Sequence, residues 1–351
     1  MSPPTADSGA PARRDVRGLP KAHLHLHLTG AMRPATLDEL AARHGIAVPA
    51  PLPATAGTWA DFQDRYDTAR HAIRTAADVA RVLAEAAADD AADGCGWLEV
   101  QVDPTSYAPV FGGFEQVLEA VLDGARAAPI PTGVIVASSW TRSPAHAANL
   151  ATLAARYAGH GVVGFGLSND ERHADVAAFA PAFAIAAEAG LLAVPHAGFY
   201  TGPEHVRACV EHLGADRIGH GTAAACDPAT LRLLAERGVA LEICPTSYPP
   251  FGVHELATIP LRVLLDAGVA VAIATDDPLL FDVGLAGQYG ICRDVLGLTD
   301  AELAGLAAAS IRHSAAPPQL KAELLRRTED WVRAQVKTLL PGSRRHVADQ
   351  F

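Results

Sequence analysis

The run His23-Leu24-His25-Leu26-His27 alternates histidine with leucine. In a β-strand this alternation sends all three imidazoles to one face and the leucines to the other. Two histidines at i and i+2 can grip one metal ion from a single strand, while the same pattern also serves as polar filling of a barrel interior. Further along stand His196 in Pro195-His196-Ala197-Gly198, His220 in Arg217-Ile218-Gly219-His220-Gly221, and the acid pair Asp276-Asp277. Imidazole and carboxylate groups bind divalent transition ions and move protons near neutral pH. Taken singly, each of these residues is more readily a satisfied core histidine or a helix-capping carboxylate.

The elements that would position them change that balance. Short apolar strands alternate with amphipathic helices, a pattern that predicts a parallel sheet. The strands are expected over Ala22 to Leu28, Gly96 to Val102, Thr132 to Ala137, Val162 to Leu167, Leu191 to His196, Arg217 to His220, Ala240 to Cys244 and Val269 to Ala274. Apolar residues at three- and four-residue spacing mark helices over Asp78 to Ala92, Asp175 to Ala189 and Pro228 to Arg237, with Gly94, Gly190 and Gly238 where C-terminal caps belong. Eight βα units without an internal linker favour one (β/α)8 barrel of the TIM type over two doubly wound domains. Each candidate residue then falls at or just beyond the C-terminal end of a strand, the rim where barrels gather catalytic groups. The capping-box sequence Thr299-Asp300-Ala301-Glu302 opens an expected helix to about His313, and another is expected from Pro318 to Lys337. These are C-terminal additions to the barrel. The Pro- and Ala-rich stretch from Ile46 to Tyr66, with Trp59 and Phe62, is expected to be irregular and to form a lid or pocket wall. Residues 1–17 are expected to be a mobile tail, 18–341 the barrel domain and 342–351 a C-terminal tail.

Composition narrows the partners. The 28 Lys and Arg against 39 Asp and Glu give a net charge of −11 without a basic run, which argues against a nucleic-acid or anionic-membrane partner and for a small-molecule substrate. Hydrophobic residues make up 50% and charged residues 19%, a balance suited to a large core. Five scattered cysteines contain no C-x-x-C pair, and no signal-like or membrane-length apolar run occurs, so a cytoplasmic location is expected. Gly164-Phe165-Gly166 matches a dinucleotide loop at two glycines and then fails, and neither a phosphate-binding loop nor a G-x-S-x-G elbow is present.

The motifs together resemble the adenosine deaminase family of metal-dependent barrel hydrolases, from about Leu19 to Leu296. Pro20 to Leu28 resembles its opening strand, Pro195-His196-Ala197-Gly198 its third ligand and Arg217 to Gly221 its catalytic histidine. Thr275-Asp276-Asp277-Pro278 resembles its closing motif, and Cys244-Pro245-Thr246-Ser247 the turn before it. The resemblance implies one zinc ion held by His25, His27, His196 and Asp276 with a water completing the site. His220 would take the water proton, Asp276 would also accept a hydrogen bond from that water, and Asp277 would hold the substrate. Iron, cobalt or manganese also suits such donors. A pair of metals bridged by a modified lysine is excluded, because Lys21, Lys321 and Lys337 all lie off the fourth strand.

Three positions depart from the family together. Phe199 replaces the glutamate that protonates the purine ring, Thr29 replaces the acid that reaches the sugar, and Asn169 replaces a glycine whose amide meets the purine. In addition, His23 replaces a glutamate and Tyr248 an asparagine. Acid–base participation is typically worth about 10²–10⁴ in rate, so loss of the glutamate predicts a poor adenosine deaminase. Either His23, Asp170 or Glu171 supplies the proton, or the substrate needs none there. The expected activity is hydrolytic deamination of an amino-substituted heterocycle other than adenosine, with Phe199, Asn169, Thr29, His23, Trp59, Phe62 and Asp277 meeting the substrate. Hydrolysis of another C–N or C–O bond, in a cyclic amide or ester, is the first alternative. A metal-holding binding protein without turnover is the second.

Overall fold

A computed structural model of the chain describes residues 13–53, 57–172 and 175–339, with side chains described as far as residue 334. The strands are β1 (Lys21–His27), β2 (Cys95–Val102), β3 (Thr132–Ser139), β4 (Val162–Ser168), β5 (Leu192–Ala197), β6 (Arg217–His220), β7 (Ala240–Ile243) and β8 (Ala270–Ile273). They pair in parallel in that order. Past the end of β8, His27 N donates to Asp276 O and Asp276 N to His25 O, joining the last strand to the first. The fold is a (β/α)8 barrel with additional C-terminal helices.

The helices are α1 (Pro34–His44), α2 (Trp59–Ala72), α3 (Ala76–Ala92), α4 (Ala108–Phe111), α5 (Phe114–Ala127), α6 (Pro144–Arg156) and α7 (Ala180–Glu188). They continue as α8 (Pro203–Leu213), α9 (Pro228–Arg237), α10 (Leu261–Asp266), α11 (Pro278–Phe281), α12 (Leu285–Asp294), α13 (Asp300–His313) and α14 (Pro318–Leu339). Capping boxes open α2, α3 and α13, each a threonine answered by an acid three residues on. Gly94, Gly190 and Gly238 take positive φ beyond α3, α7 and α9, where a side chain would strain the backbone. Among the described residues no helix is long and apolar enough to cross a membrane.

The strand boundaries depart from expectation by one or two residues. Two larger differences have physical causes. The segment Asp175 to Ala189 breaks into a 3₁₀ turn over Val176–Phe179 and then α7, because Pro181 fits only the first turn of a helix. Within Ile46 to Tyr66, Thr58 caps a regular helix, so Trp59 to Tyr66 is helical and not irregular; residues 54–56 lie outside the described part. Of the expected N-terminal tail, Arg13 pairs with Asp294, Arg14 lies 4.6 Å over the Trp331 ring and Val16 is buried. Residues 1–12 and the expected C-terminal tail lie outside the described part.

Candidate active site

The site begins with an irregularity in β1. That strand pairs His23 with Leu98 but Leu26 with Val100, so it carries one residue more than β2 over the same span. Such a bulge exchanges the faces of the residues on either side of it. Ala22 and Leu24 pack with Trp97, Ala272 and Leu324 at the foot of the barrel. Beyond the bulge, His25 and His27 meet the groups at its upper rim. His23 is thereby turned away from them: its ring donates to Asp90 (2.8 Å) and accepts from Thr275 N (3.1 Å). It borders a separate cavity beside Asp89 and Leu285. The expectation that all three histidines share a face and that His23 meets the substrate is therefore corrected.

At the rim, His25 Nε2 lies 3.3 Å from Asp276 Oδ1, His27 Nε2 lies 3.2 Å from the same oxygen, and His196 Nε2 lies 3.3 Å from His27 Nε2. Donor atoms sharing a tetrahedral zinc at about 2.0–2.1 Å are roughly 3.3 Å apart. His25 Nε2 is buried without a hydrogen-bond partner, a costly state for an atom that has nothing to bind. Burial pushes His27 down and His196 well down, leaving both as the neutral imidazoles that ligate. Burial also opposes charge on His25, but Asp276 and Glu242 outweigh it and push its pKa up to about 10. Two carboxylates thus call for a positive charge at this point, and the donor set fits a divalent cation.

Glu242 accepts from His25 Nδ1 (2.9 Å). Arg217 donates to Glu242 (2.6 Å) and Glu99 (2.5 Å), and Glu99 accepts from the Trp97 indole. All are buried. This chain fixes the tautomer and direction of His25 from below. The sequence reading passed over Glu99, Glu242 and Arg217. The signal was in β2, where Trp97, Glu99 and Gln101 recur at the two-residue spacing of one strand face. Gln101 lines the pocket above Glu99, its Nε2 buried without a partner.

His220 lies beside the cluster, Nε2 3.8 Å from Asp276 Oδ2. Burial drives its pKa down to about 3, which leaves its ring neutral. Both His220 and Asp276 have positive φ, 65° and 63°, a backbone strain that concentrates at functional sites. Gly219 is required by packing, since a Cβ there would come within 2.8 Å of His25 Cε1 and 3.0 Å of His196 Cγ. Asp277 has Oδ1 buried without a partner, and burial together with the neighbouring Asp276 charge holds its carboxyl well above the usual range.

These groups lie at the inner end of a pocket enclosing about 930 Å³, open to solvent included. Trp59, Phe62, Gln63, Tyr66 and Arg70 line it from one face of α2, at helical spacing. Thr29, Asn169 and Phe199 also line it. Asn169 takes φ 74°, a left-handed conformation that asparagine tolerates better than most residues. The Phe199 ring lies 4.7 Å from that of His220, and Tyr248 and Phe251 follow at 5.8 and 5.7 Å.

Glu171 holds the turn that presents Phe199. Its Oε1 accepts from the backbone amides of Phe199, Tyr200 and Thr201, each at 2.8 Å, and from the Thr201 hydroxyl at 2.7 Å. An oxygen serving four donors is committed to holding this turn. Asp170 accepts both Arg172 nitrogens at 2.8 Å and is not among the lining residues. Of the three groups considered as stand-ins for the missing glutamate, His23 faces another cavity and the other two are held elsewhere.

A (β/α)8 barrel with histidines and acids converging on its C-terminal rim defines the amidohydrolase class of enzymes. Within that class the chain belongs to the adenosine deaminase family, whose model matches residues 20–331. It is 50% identical over 337 residues to a putative adenosine/adenine deaminase of Streptomyces coelicolor, covering 91% of this chain and 98% of the relative. An aminodeoxyfutalosine deaminase of Acidothermus cellulolyticus is 33% identical, with 79% and 83% covered. The crystal structure of an adenine deaminase from Arthrobacter aurescens superposes with a TM-score of 0.80 at 28% identity, covering 90% of this chain and 99% of that one.

Proposed function

We propose that this protein is a zinc-dependent aminohydrolase that deaminates a purine-like substrate other than adenosine. The observation that carries the reading is the convergence of three imidazole Nε2 atoms and Asp276 Oδ1 at about 3.3 Å spacing, beside His220 and an Asp277 whose Oδ1 has no hydrogen-bond partner. His25, His27, His196 and Asp276 would hold the ion. When bound, such an ion supplies Lewis acidity and a source of hydroxide at neutral pH. His220, the nearest neutral base, takes the proton released as the nucleophile forms and returns it to the departing amine. Asp277, whose Oδ1 is buried without a partner at the inner end of the pocket, holds the substrate and so fixes its face toward His220.

Exclusion of adenosine rests on Phe199. The glutamate of the family pattern would stand where an aromatic ring now packs 4.7 Å from His220, and no free acid lies next to it. A purine with a more electron-poor ring, or one already carrying its proton, needs less help at that position. The deciding measurement is ammonia release from the metal-loaded protein across adenine, adenosine and ring- or N-substituted aminopurines. Turnover of at least one of these, with adenosine slow, is expected. Rapid adenosine turnover would remove the Phe199 argument. Hydrolysis of a cyclic amide or ester with no amine turned over would shift the reading to another bond.

A further inference from the structure

One corner of the pocket, beside Asp277, differs in charge from the family pattern. Where an acid would meet a sugar hydroxyl stands Thr29, whose Oγ1 is hydrogen-bonded to the Tyr107 hydroxyl. The Tyr66 hydroxyl is also within reach of Thr29. Against this group lies Arg70, its guanidinium 4.8 Å over the Tyr66 ring. It is the single Lys or Arg among the described residues lining the pocket. Its Nη1 is propped by Asp67 (2.7 Å) and Ser106 Oγ (3.2 Å). Asp67 is 43% exposed and so pairs from the solvent side, while Asp103, which also lines the pocket, accepts from Thr105 N through Oδ1, and Asp277 acts on the same guanidinium. Burial holds the Tyr66 phenol well up and raises that of Tyr107, so both remain hydrogen-bond donors. An acid has been lost, and a cation with three hydroxyls occupies the same corner.

We infer that Thr29, Tyr66, Tyr107 and Arg70 form a subsite for an oxyanion, a phosphate or carboxylate carried by the substrate on the side away from its amine. The inference rests on the reading of the pocket as a purine deaminase site. A forked guanidinium stacked on an aromatic ring is the arrangement that receives such groups in two-point fashion. A neutral sugar hydroxyl uses one of these donors, whereas an oxyanion uses several.

The test is calorimetric binding of reaction products to the metal-loaded protein: inosine, inosine 5′-monophosphate and inosine 5′-carboxylate. At least one anionic ligand is expected to bind about ten- to hundredfold more tightly than inosine, and this advantage should shrink as salt is raised. Whichever anion gains more identifies the group. Arg70→Met should bring the ratio of anionic to neutral affinity toward one, and Arg70→Lys should keep part of it. If Arg70→Met disturbs α2, Thr29→Asp replaces it as the probe, since an acid restored to the corner should abolish the advantage. Inosine binding as tightly as both anions, or an advantage that survives both Arg70→Met and Thr29→Asp, would overturn the subsite and leave the purine reading standing. Failure of inosine and both anions to bind would overturn the subsite, while the purine reading would stand or fall with ammonia release across the aminopurines.

Discussion

The inner end and the outer wall of the pocket are built on different principles. The inner end is made of strand termini locked by the barrel's hydrogen bonds: His25 and His27 on β1, His196 on β5, His220 on β6, and Asp276 tied through its backbone to β1. Each side chain there is fixed by a buried polar partner or by close packing, as Gly219 packs against His25 and His196. The wall is made of α2, the end of α11 and the turn carrying Phe251, and its residues meet through rings: Trp59 on Phe62 at 5.1 Å, Phe62 on Phe251 at 5.5 Å, and Phe62 on Phe281 at 6.2 Å. Apolar ring contacts tolerate changes of identity that a donor set with fixed spacing does not. The wall can therefore take Phe199, Thr29 and Asn169 without disturbing the acids and imidazoles beneath. Recognition is free to diverge while the hydrolytic groups stay in place.

The sharpest break of this comparison comes at the inner end. His196→Ala removes one of four donors, and the expected result is loss of both bound ion and turnover, read as metal content after dialysis and as ammonia release. Chelation of the native protein should produce the same inactive state, reversed by added zinc. An ion retained at full content by His196→Ala would place the site elsewhere.

The next effect is smaller and selective. His220→Ala should keep the ion and lose about 10²–10⁴ in turnover, the usual worth of a general base. Equal metal loss in this variant and in His196→Ala would make His220 a ligand and not a base.

Below both lies the support of His25. Glu242→Gln keeps the shape but removes the charge that orients the imidazole, so metal affinity should fall about 10- to 100-fold. Arg217 would retain Glu99 as its partner, so the fold should survive with a lower melting temperature. Unchanged metal affinity in this variant would reduce the Glu99–Arg217–Glu242 chain to a structural ion network.

The same division explains what the sequence could tell. Strand ends are local features: a histidine or acid at the end of a short strand pattern is visible without knowing its neighbours, so His196, His220 and Asp276 could be placed at strand ends and are found there. His23 could not be placed, because a bulge depends on the register with β2 and leaves the H-x-H-x-H alternation untouched. Glu242 and Arg217 lie in short strands where a charged residue reads as a break; the pairing of β6 with β7 gives them each other, and barrel closure brings Glu99 and His25 to them. The wall was legible in part. Trp59, Phe62 and Tyr66 stood out as aromatics after a Pro- and Ala-rich stretch, whereas Arg70 needed the helix of α2 to bring it to the same face. Glu171 looked like a spare acid until the three amides of the following turn gave it a task.

The smallest expected effect lies at the boundary between the two regions. Phe199 belongs to the wall by its contacts with Tyr248 and Phe251 and to the inner end by its distance from His220. Its backbone is held by Glu171, so Phe199→Glu changes the side chain on a turn that stays where it is. A carboxyl among Tyr248, Phe251 and the Asp276 charge is pushed up in pKa by burial and by like charge, which keeps it protonated near neutral pH and able to donate to a ring nitrogen. General acid assistance alone would be worth about 10²–10⁴, but Asn169 and Thr29 still shape the pocket against adenosine, and burying a carboxyl without a partner costs about 1–3 kcal/mol. The expected outcome is a gain of less than about tenfold in adenine or adenosine deamination over the native rate, measured as ammonia release at saturating zinc, with metal content unchanged. Metal loss in Phe199→Glu would show that the wall and the inner end are not independent. No gain with the ion in place would mean that Asn169 and Thr29, and not the missing acid, are what exclude adenosine.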